Sequence, residues 1–152
     1  MELKQTIFLY TDGAASGNPG PGGYGVVLQC GDYRKELSGG FALTTNNRME
    51  LLAVICGLEA IRWENADVQV YSDSTYVVNT VNKGWKKKKN LDLWDRFEPL
   101  YRKHRVTFHW IKGHAGHPEN ERCDALAVAA YGKPDLPEDG GYVPEAADPV
   151  LL

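Results

Sequence analysis

The feature that most constrains this fold is the glycine-rich stretch Thr11–Gly25, which directly follows an apolar run. The stretch contains six glycines and two prolines, and the residues after it alternate between apolar and smaller or polar side chains. This pattern predicts a strand, a tight turn and a second strand. We therefore expect a β-hairpin that carries the carboxylate of Asp12 at its rim.

Two nucleotide-binding motifs are disfavoured by the surroundings of these glycines. Gly20, Gly22 and Gly25 match the spacing of a dinucleotide-binding fingerprint, but the next residues have a two-residue period and no helix begins there. A nucleotide P-loop would continue into Gly-Lys-Ser or Gly-Lys-Thr, and this stretch does not. The candidate functional group is therefore Asp12 and not the glycines.

Length and composition predict one globular domain. A chain of 152 residues can bury a self-sufficient core, and it contains no signal-peptide pattern and no apolar run long enough to cross a membrane. The three cysteines are odd in number and widely spaced, which favours core thiols in a reducing compartment over a disulfide framework. We expect a cytoplasmic monomer.

The net charge of −3 hides an uneven distribution along the chain. Residues 133–152 carry one lysine and five acidic residues, whereas residues 1–132 carry 16 basic and 15 acidic residues. Five of those basic residues lie in Lys83–Lys89. The overall acidity is therefore compatible with a nucleic-acid partner.

Hydrophobic periodicity predicts an α/β fold with five strands and four helices. We expect strands at about 5–12, 23–29, 33–41, 67–72 and 106–111, the first three forming an antiparallel meander because their connections are short. We expect one helix to about residue 63 with an apolar stripe from Met49 to Ile61, one from Ser74, one capped by Asn90 and kinked by Pro99, and one over 119–131 after Pro118. Strands followed by alternating helices and strands predict a mixed sheet with helices on its faces.

The C-terminal residues 132–152 differ in composition from the rest of the chain. They contain four prolines and three glycines and are acidic. This composition predicts a loosely attached extension of a domain that comprises residues 1–131.

Four acidic residues stand near predicted strand ends or in helices: Asp12, Glu50, Asp73 and Asp124. The strand ends and helix starts at one edge of a mixed sheet are where sites form. If the four carboxylates converge, their repulsion would raise their pKa values, and divalent cations would relieve it. Oxygen ligands suit Mg²⁺ or Mn²⁺, and several carboxylates suit a pair of ions, the arrangement used for in-line attack on phosphodiesters.

Each of these acidic residues also has an ordinary structural interpretation. Asp12 could begin an Asx-turn, and Glu50, three residues after Asn47, could complete a capping box. Asp73 could cap the next helix, and Asp124 could be a solvated helix residue. The sequences that flank the four residues favour the functional interpretation.

Five motifs carry a resemblance to a known family. Thr11–Gly13, Gly17–Gly25, Thr45–Glu50, Ser72–Ser74 and Lys112–Asp124 resemble the bacterial type 1 ribonuclease H pattern, in the family's order. The similarity covers the chain from Thr11 to about Tyr131. It implies a ribonuclease H-like sheet, three antiparallel strands followed by parallel ones with helices on both faces. It also implies Mg²⁺-dependent hydrolysis of RNA strands paired with DNA, which leaves 5′-phosphate and 3′-hydroxyl ends.

The resemblance further implies a role for individual residues. It assigns metal binding to Asp12, Glu50, Asp73 and Asp124, and makes His114 a mobile group that assists proton transfer or product release. It places Asn18 and Thr45 in a pocket for a DNA phosphate, and Asn46 and Asn47 in groove contacts. Trp85 and the adjacent Lys86, Lys87, Lys88 and Lys89 favour phosphate contacts over a solvated face, although the four lysines cannot all point the same way.

A zinc site is an alternative for the histidines. His114 and His117, with His109 and Cys123, are possible ligands, but no second closely spaced ligand pair exists. An imidazole in the Gly113–Gly116 segment has backbone freedom to move and an unperturbed pKa near neutrality. These properties favour a proton-transfer role.

The chain departs from the family pattern in two places. Lys86–Lys89 runs almost directly into Leu91–Trp94, so the basic protrusion that many bacterial members carry is reduced to a lysine-rich turn. Thr75 stands where relatives often have a glutamine. The first departure puts the affinity of the isolated protein for its substrate in question.

Two other classes of protein share parts of this pattern. An integrase or junction-resolving nuclease also gathers carboxylates on such a sheet, but the Gly-Asn-Pro-Gly and His-Ala-Gly-His segments argue against it. A hybrid-binding module with a decayed site is disfavoured because all four acidic residues and His114 are present. We therefore expect a metal-dependent endoribonuclease that acts on RNA–DNA hybrids.

Overall fold

The structure, a computed structural model, describes residues 5–113 and 116–144. Its elements in chain order are β1 (Ile7–Ala15), β2 (Gly20–Cys30), β3 (Tyr33–Thr44), α1 (Asn46–Glu59), β4 (Asp67–Ser72), α2 (Thr75–Asn82), α3 (Leu91–Lys103), β5 (Arg105–Trp110) and α4 (Pro118–Tyr131). The predicted number and order of strands and helices are confirmed. No helix within the described ranges is both long and apolar enough to cross a membrane.

The five strands form one mixed sheet in the order β3-β2-β1-β4-β5. The β1–β2 and β2–β3 pairs are antiparallel, and the β1–β4 and β4–β5 pairs are parallel. Short turns join the antiparallel strands, whereas helices provide the longer crossovers that parallel pairs require. The predicted fold class is therefore confirmed, with β1 at the centre of the sheet.

Helices cover both faces of the sheet. A Cβ atom added to Gly22 would lie 3.2 Å from the side chain of Met49 on α1, whereas one added to Gly23 or Gly25 would overlap backbone carbonyl groups of α4. Neighbouring residues of a strand point to opposite faces, so α1 and α4 lie on opposite sides. The helices α2 and α3 pack beside α1; α2 also lies against β4 and β5, and α3 against β5.

The glycine-rich stretch forms the predicted β-hairpin, but its turn is shorter than predicted and its strands are longer. All but residues 16–19 of it belong to β1 or β2, and Asp12 lies inside β1, paired with Gly25. The glycines are needed because helices approach these strands closely. A Cβ atom on Gly13 would overlap the backbone of α1, and one on Gly25 would overlap the backbone of α4.

The helix α1 is buried almost all round, and not along one stripe as predicted. It lies between the sheet and the helices α2 and α3, so residues on several sides are buried. Additional buried positions are Leu51, Val54, Ile55 and Leu58. The helix ends at Glu59, before the predicted end near residue 63. The Ala60 N–H is shared between the Cys56 and Gly57 carbonyl oxygens, and the Ile61 N–H bonds to the Leu58 carbonyl three residues back, so the chain leaves the helix through a tightened last turn.

Asn90 precedes α3, as predicted, but its side chain does not cap the helix. The residue has a left-handed backbone conformation with a φ of 57°. Its amide group instead accepts a hydrogen bond from Arg48 and donates one to the hydroxyl of Tyr76. The helix continues through Pro99 to Lys103.

The described part of the C-terminal tail, residues 132–144, packs on the domain, which contradicts the predicted loose attachment. The Ala42 N–H donates to the Pro137 carbonyl oxygen at 2.8 Å. The Thr44 hydroxyl donates to the Asp139 carboxylate at 2.7 Å. That carboxylate also forms an ion pair with the buried Arg48.

Candidate active site

Three carboxylates meet at the edge of the sheet where β1 and β4 approach their carboxyl ends. The parallel register pairs Tyr10 with Tyr71, so Asp12 and Asp73, each two residues further on, lie at the same level. Glu50 reaches the same edge from α1, and its Oε1 accepts a hydrogen bond from the Gly13 N–H at 2.7 Å. One oxygen from each of Asp12, Glu50 and Asp73 lies within 4.8 Å of the others.

The ordinary interpretations of these residues are wrong for Glu50 and Asp73. The side chain of Thr45 caps α1, where it accepts a hydrogen bond from the Arg48 N–H at 3.3 Å. The side chain of Ser74 caps α2. Neither Glu50 nor Asp73 therefore caps a helix, and the carboxylates of both belong to the cluster with Asp12.

Burial and repulsion act on the charges of this cluster. Burial raises the pKa of Asp12 to about 8, helped by the charges of Asp73 and Asp124, while the Gly13 N–H opposes the rise. Burial and the neighbouring Asp12 and Asp73 raise the pKa of Glu50 well above its ordinary value. The cluster therefore concentrates negative charge that needs either a proton or a cation.

A cavity of about 380 Å³ opens in front of the carboxylates. Its walls are Asp12, Gly13, Ala14, Asn46, Asn47, Glu50, Asp73, Ser74, Thr75, Tyr76 and Asp124. Asp124, half-buried on α4, thus faces the same space without joining the tight group of three. The structure brings three of the four predicted ligands together and sets the fourth on the cavity wall.

The donor set fits a hard divalent cation. Its ligand atoms are all carboxylate oxygens, which suit Mg²⁺ and Mn²⁺. Among the residues described, no lysine or arginine pairs with Asp12, Glu50 or Asp73, so no cationic side chain offsets their charge. Within those ranges the cluster is also the one group of histidine, cysteine or acidic residues that could hold a metal ion.

The described residues of the alternative zinc site do not gather. The Nε2 of His109 lies 2.6 Å from the Gln69 Oε1 on a different part of the sheet. The Cys123 thiol is buried and donates to the Tyr10 carbonyl oxygen at 3.2 Å. The zinc alternative is therefore disfavoured by the structure as well.

His114 lies outside the described residues, but the residue before it is placed. A Cβ atom on Gly113 would come within 2.8 Å of the Asp73 Oδ2, so the chain passes directly beside this carboxylate. Trp110 also contacts Asp73, but at the backbone: its indole N–H donates to the Asp73 carbonyl oxygen at 3.1 Å.

The polar residues predicted to bind substrate lie next to the carboxylates. The Asn18 Oδ1 accepts a hydrogen bond from the Asn46 N–H at 3.1 Å, which joins the β1–β2 turn to the start of α1. Asn46 and Asn47 line the cavity, and Thr45 is the adjacent cap residue. The structure thus brings these four residues together.

The predicted basic contacts lie apart from the cavity. Residues 83–90 form a loop without a helix between α2 and α3, as the shortened protrusion predicts, and Trp85 is exposed there. The four lysines, Lys86, Lys87, Lys88 and Lys89, are also exposed. Lys87 nevertheless turns back towards the protein, with its Nζ 3.5 Å from Glu98 and 5.2 Å from the centre of the Trp94 ring.

One residue of the cavity wall, Tyr76 on α2, has no role in the sequence analysis. It lines the cavity together with the candidate metal ligands. Its hydroxyl accepts hydrogen bonds from the Trp94 indole at 2.9 Å and from the Asn90 amide at 3.1 Å. A tyrosine one turn after a candidate ligand was the available signal.

A mixed sheet of this strand order, with carboxylates gathered beside its central strands, defines an α/β protein with a candidate divalent-cation site at the edge of its sheet. The family model described as RNase H matches residues 4–131. A ribonuclease H of Desulforamulus reducens is 58% identical over 151 residues, which cover 90% of this chain and 94% of that protein. The chain therefore belongs to the ribonuclease H family, a family of endoribonucleases, and the predicted resemblance is confirmed.

Solved structures agree with this assignment. LC9-RNase H1, a type 1 RNase H with the type 2 active-site motif, superimposes with a TM-score of 0.75 at 32% identity, covering 87% of this chain and 74% of that one. LC11-RNase H1, solved in complex with an RNA/DNA hybrid, gives a TM-score of 0.72 at 28% identity, covering 84% of this chain and 97% of that one.

Proposed function

We propose that this protein cleaves the RNA strand of RNA–DNA hybrids endonucleolytically with two divalent cations, Mg²⁺ or, as a substitute, Mn²⁺. The observation that carries the proposal is the group of Asp12, Glu50 and Asp73 oxygens within 4.8 Å, in a cavity that Asp124 also lines. Family membership and a 28% identical relative solved with an RNA/DNA hybrid support the substrate.

The four carboxylates would hold the cations. When bound, divalent cations supply Lewis-acid chemistry, which lowers the pKa of the attacking water and stabilises charge on the leaving oxygen. The chain contributes fixed negative charges that β1, β4, α1 and α4 hold in place. Because the pKa values of Asp12 and Glu50 are raised, protons compete with cations, and occupancy increases as the pH rises towards 8.

The expected products follow from which bond breaks. Water attacks phosphorus and the bond from phosphorus to the 3′-oxygen breaks, so the phosphate stays on the 5′-carbon of one fragment. The departing 3′-oxygen takes a proton and becomes a hydroxyl group. We assign this proton transfer, or the release of product, to His114, because Gly113 lies against Asp73 and an imidazole titrates near neutrality.

Replacement of His114 by alanine separates that role from metal binding. We expect turnover to fall by about 10²-fold, within the range of general acid–base catalysis. The Mg²⁺ concentration for half-maximal activity should stay unchanged. A large shift in that concentration would make His114 a ligand instead.

We assign substrate contacts to the polar residues around the cavity. Asn18 and Thr45 would hold a phosphate of the DNA strand, and Asn46 and Asn47 would contact the groove, where 2′-hydroxyl groups distinguish RNA from DNA. The hydrogen bond between Asn18 and Asn46, and the position of Asn46 and Asn47 on the cavity wall beside the carboxylates, support this assignment. Trp85 and the four residues that follow it, Lys86, Lys87, Lys88 and Lys89, which we call the lysine loop, would contact phosphates further along the hybrid.

The decisive assay labels each strand of a hybrid separately and compares it with double-stranded RNA and double-stranded DNA, with and without Mg²⁺. We expect cleavage of the RNA strand of the hybrid alone, only with Mg²⁺, and ends that carry 5′-phosphates and extendable 3′-hydroxyls. Asp73→Asn should bind hybrid without cleaving it, whereas Asp95→Asn, an exposed change of equal charge on α3, should cleave normally. Cleavage of double-stranded DNA would favour a junction-resolving nuclease, and binding without cleavage would favour a binding module.

We further propose a cytoplasmic monomer whose catalytic domain comprises residues 1–131. The three cysteines are all free, which suits a reducing compartment. Light scattering coupled to size-exclusion chromatography tests the monomer, and a dimer mass would contradict it.

A further inference from the structure

Arg48 is an almost completely buried charge at the start of α1. Its side chain is 2% exposed, and its guanidinium group binds two carboxylates. Nη1 and Nη2 donate to Asp92 at 2.8 and 2.7 Å, and Nε and Nη2 donate to Asp139 at 2.7 and 3.1 Å. Nη1 also lies 3.3 Å from the Asn90 Oδ1. A buried guanidinium requires such partners, and we call Arg48, Asn90, Asp92 and Asp139 the Arg48 junction.

The Arg48 junction connects the two surfaces proposed to contact the hybrid. Arg48 directly follows Asn47, and Glu50 is two residues further on. Asn90 directly follows the lysine loop, and its amide donates to Tyr76 on the cavity wall. The junction therefore sits between the cavity and the loop.

The C-terminal tail completes the junction from outside. Asp139, whose side chain is 9% exposed, accepts hydrogen bonds from Arg48 and from the Thr44 hydroxyl. Gly141 packs so closely that a Cβ atom there would overlap the Asp92 carboxylate. The Ala42–Pro137 hydrogen bond holds the tail on β3 just before this point. The tail thus supplies one carboxylate of the junction, Asp139, and packs against the other, Asp92.

We propose that Asp139 is a positioning residue: it holds the Arg48 guanidinium in the orientation in which that group also binds Asn90 and Asp92, and so fastens the start of α1 to the end of the lysine loop. Fastening keeps Asn46 and Asn47 at a set distance from the basic loop, so one hybrid can contact both. The inference rests on the proposed function, since the surfaces it aligns are those assigned to the hybrid.

A positioning role and long-range electrostatics predict opposite changes in the KM for hybrid when the charge of Asp139 is removed. Removing a negative charge near a nucleic-acid surface strengthens attraction to phosphates and lowers KM. If Asp139 is a positioning residue, its replacement loosens the start of α1 relative to the lysine loop and raises KM. The direction of the change therefore distinguishes the two effects.

The test compares Asp139→Asn with Glu138→Gln, which removes the same charge from the adjacent exposed residue. For Asp139→Asn we expect KM for hybrid to rise about 5- to 10-fold, the size of typical coupling effects, with kcat within about 2-fold. Glu138→Gln should leave KM unchanged or lower it. An unchanged or lowered KM in Asp139→Asn, assayed well below its Tm, would overturn the inference.

Amide hydrogen exchange provides a readout that is independent of cleavage. We expect faster exchange at the start of α1 and around Asn90 in Asp139→Asn, and wild-type exchange in Glu138→Gln. If the wild-type protein fails to cleave hybrids, the proposed function fails, while the exchange data still test the fastening. Unchanged exchange in Asp139→Asn would refute it.

Discussion

Replacing Asp12 with asparagine removes one of the charges that the cluster confines and keeps the shape of the side chain. Asp12 is 3% exposed, and its Oδ1 accepts the Gly13 N–H at 3.0 Å, a bond that the asparagine carbonyl oxygen can keep. We therefore expect a folded variant that does not cleave hybrids. In the absence of cations, it should also be more stable than the wild-type protein.

The magnitude follows from the pKa of Asp12, which burial and the charges of Asp73 and Asp124 raise from 3.8 to about 8. An acid with a raised pKa in the folded state makes stability fall as the pH rises, from the unfolded pKa up to the folded one. The interval from the unfolded pKa of Asp12 to pH 7 is about 3 pH units. Each unit corresponds to about 1.4 kcal/mol, so the charge of Asp12 lowers the free energy of unfolding by at most about 4 kcal/mol at pH 7. We expect Asp12→Asn to recover about 2–4 kcal/mol at pH 7 and almost nothing at pH 4.

Urea unfolding in the presence of a chelator, at pH 4, 5.5 and 7, measures this difference. Asp95→Asn, which removes an exposed charge, should change the free energy of unfolding by less than about 0.5 kcal/mol at every pH. Added Mg²⁺ should stabilise the wild-type protein by mass action and Asp12→Asn much less. The reasoning is refuted if the gain is absent at pH 7, if it is equally large at pH 4, or if the variant cleaves hybrids normally.

Two further predictions concern the lysine loop and the packing of α4. Replacing the exposed Lys86 and Lys88 with alanine should raise KM and flatten the slope of log affinity against log salt by about 2, because each phosphate contact contributes roughly 0.9. Lys87→Ala, which loses contacts within the protein, should change the slope much less, and equal slopes in all variants would identify a solvated surface. Gly25→Ala should destabilise the protein by about 3 kcal/mol in urea unfolding, since the added methyl group overlaps a backbone carbonyl of α4. Gly140→Ala, which adds a methyl group in open space, is the control, and an equal effect of both changes would contradict the packing argument.

The sequence by itself determined the features that depend on local patterns. The strand β4 occupies Asp67–Ser72 as predicted. Its polar and apolar residues alternate in the sequence, and in the structure the alternate residues are buried. The order of strands and helices followed from the same periodicity. The residue types of the candidate ligands, and the motifs that carry the family resemblance, were likewise visible before any contact was known.

Only the tertiary structure decided which residues meet. Asp12 lies inside a strand because α1 and α4 pack on glycines that local rules assign to a turn. Arg48 binds Asp139 across 91 positions of sequence, so the tail that composition predicts to be loose is held in place. Lys87 looks like its neighbours in sequence but turns towards Glu98 and Trp94. The physical reason is common to all three: periodicity describes the environment of a residue along its own segment, whereas close packing and ion pairing depend on a distant segment that folding brings beside it.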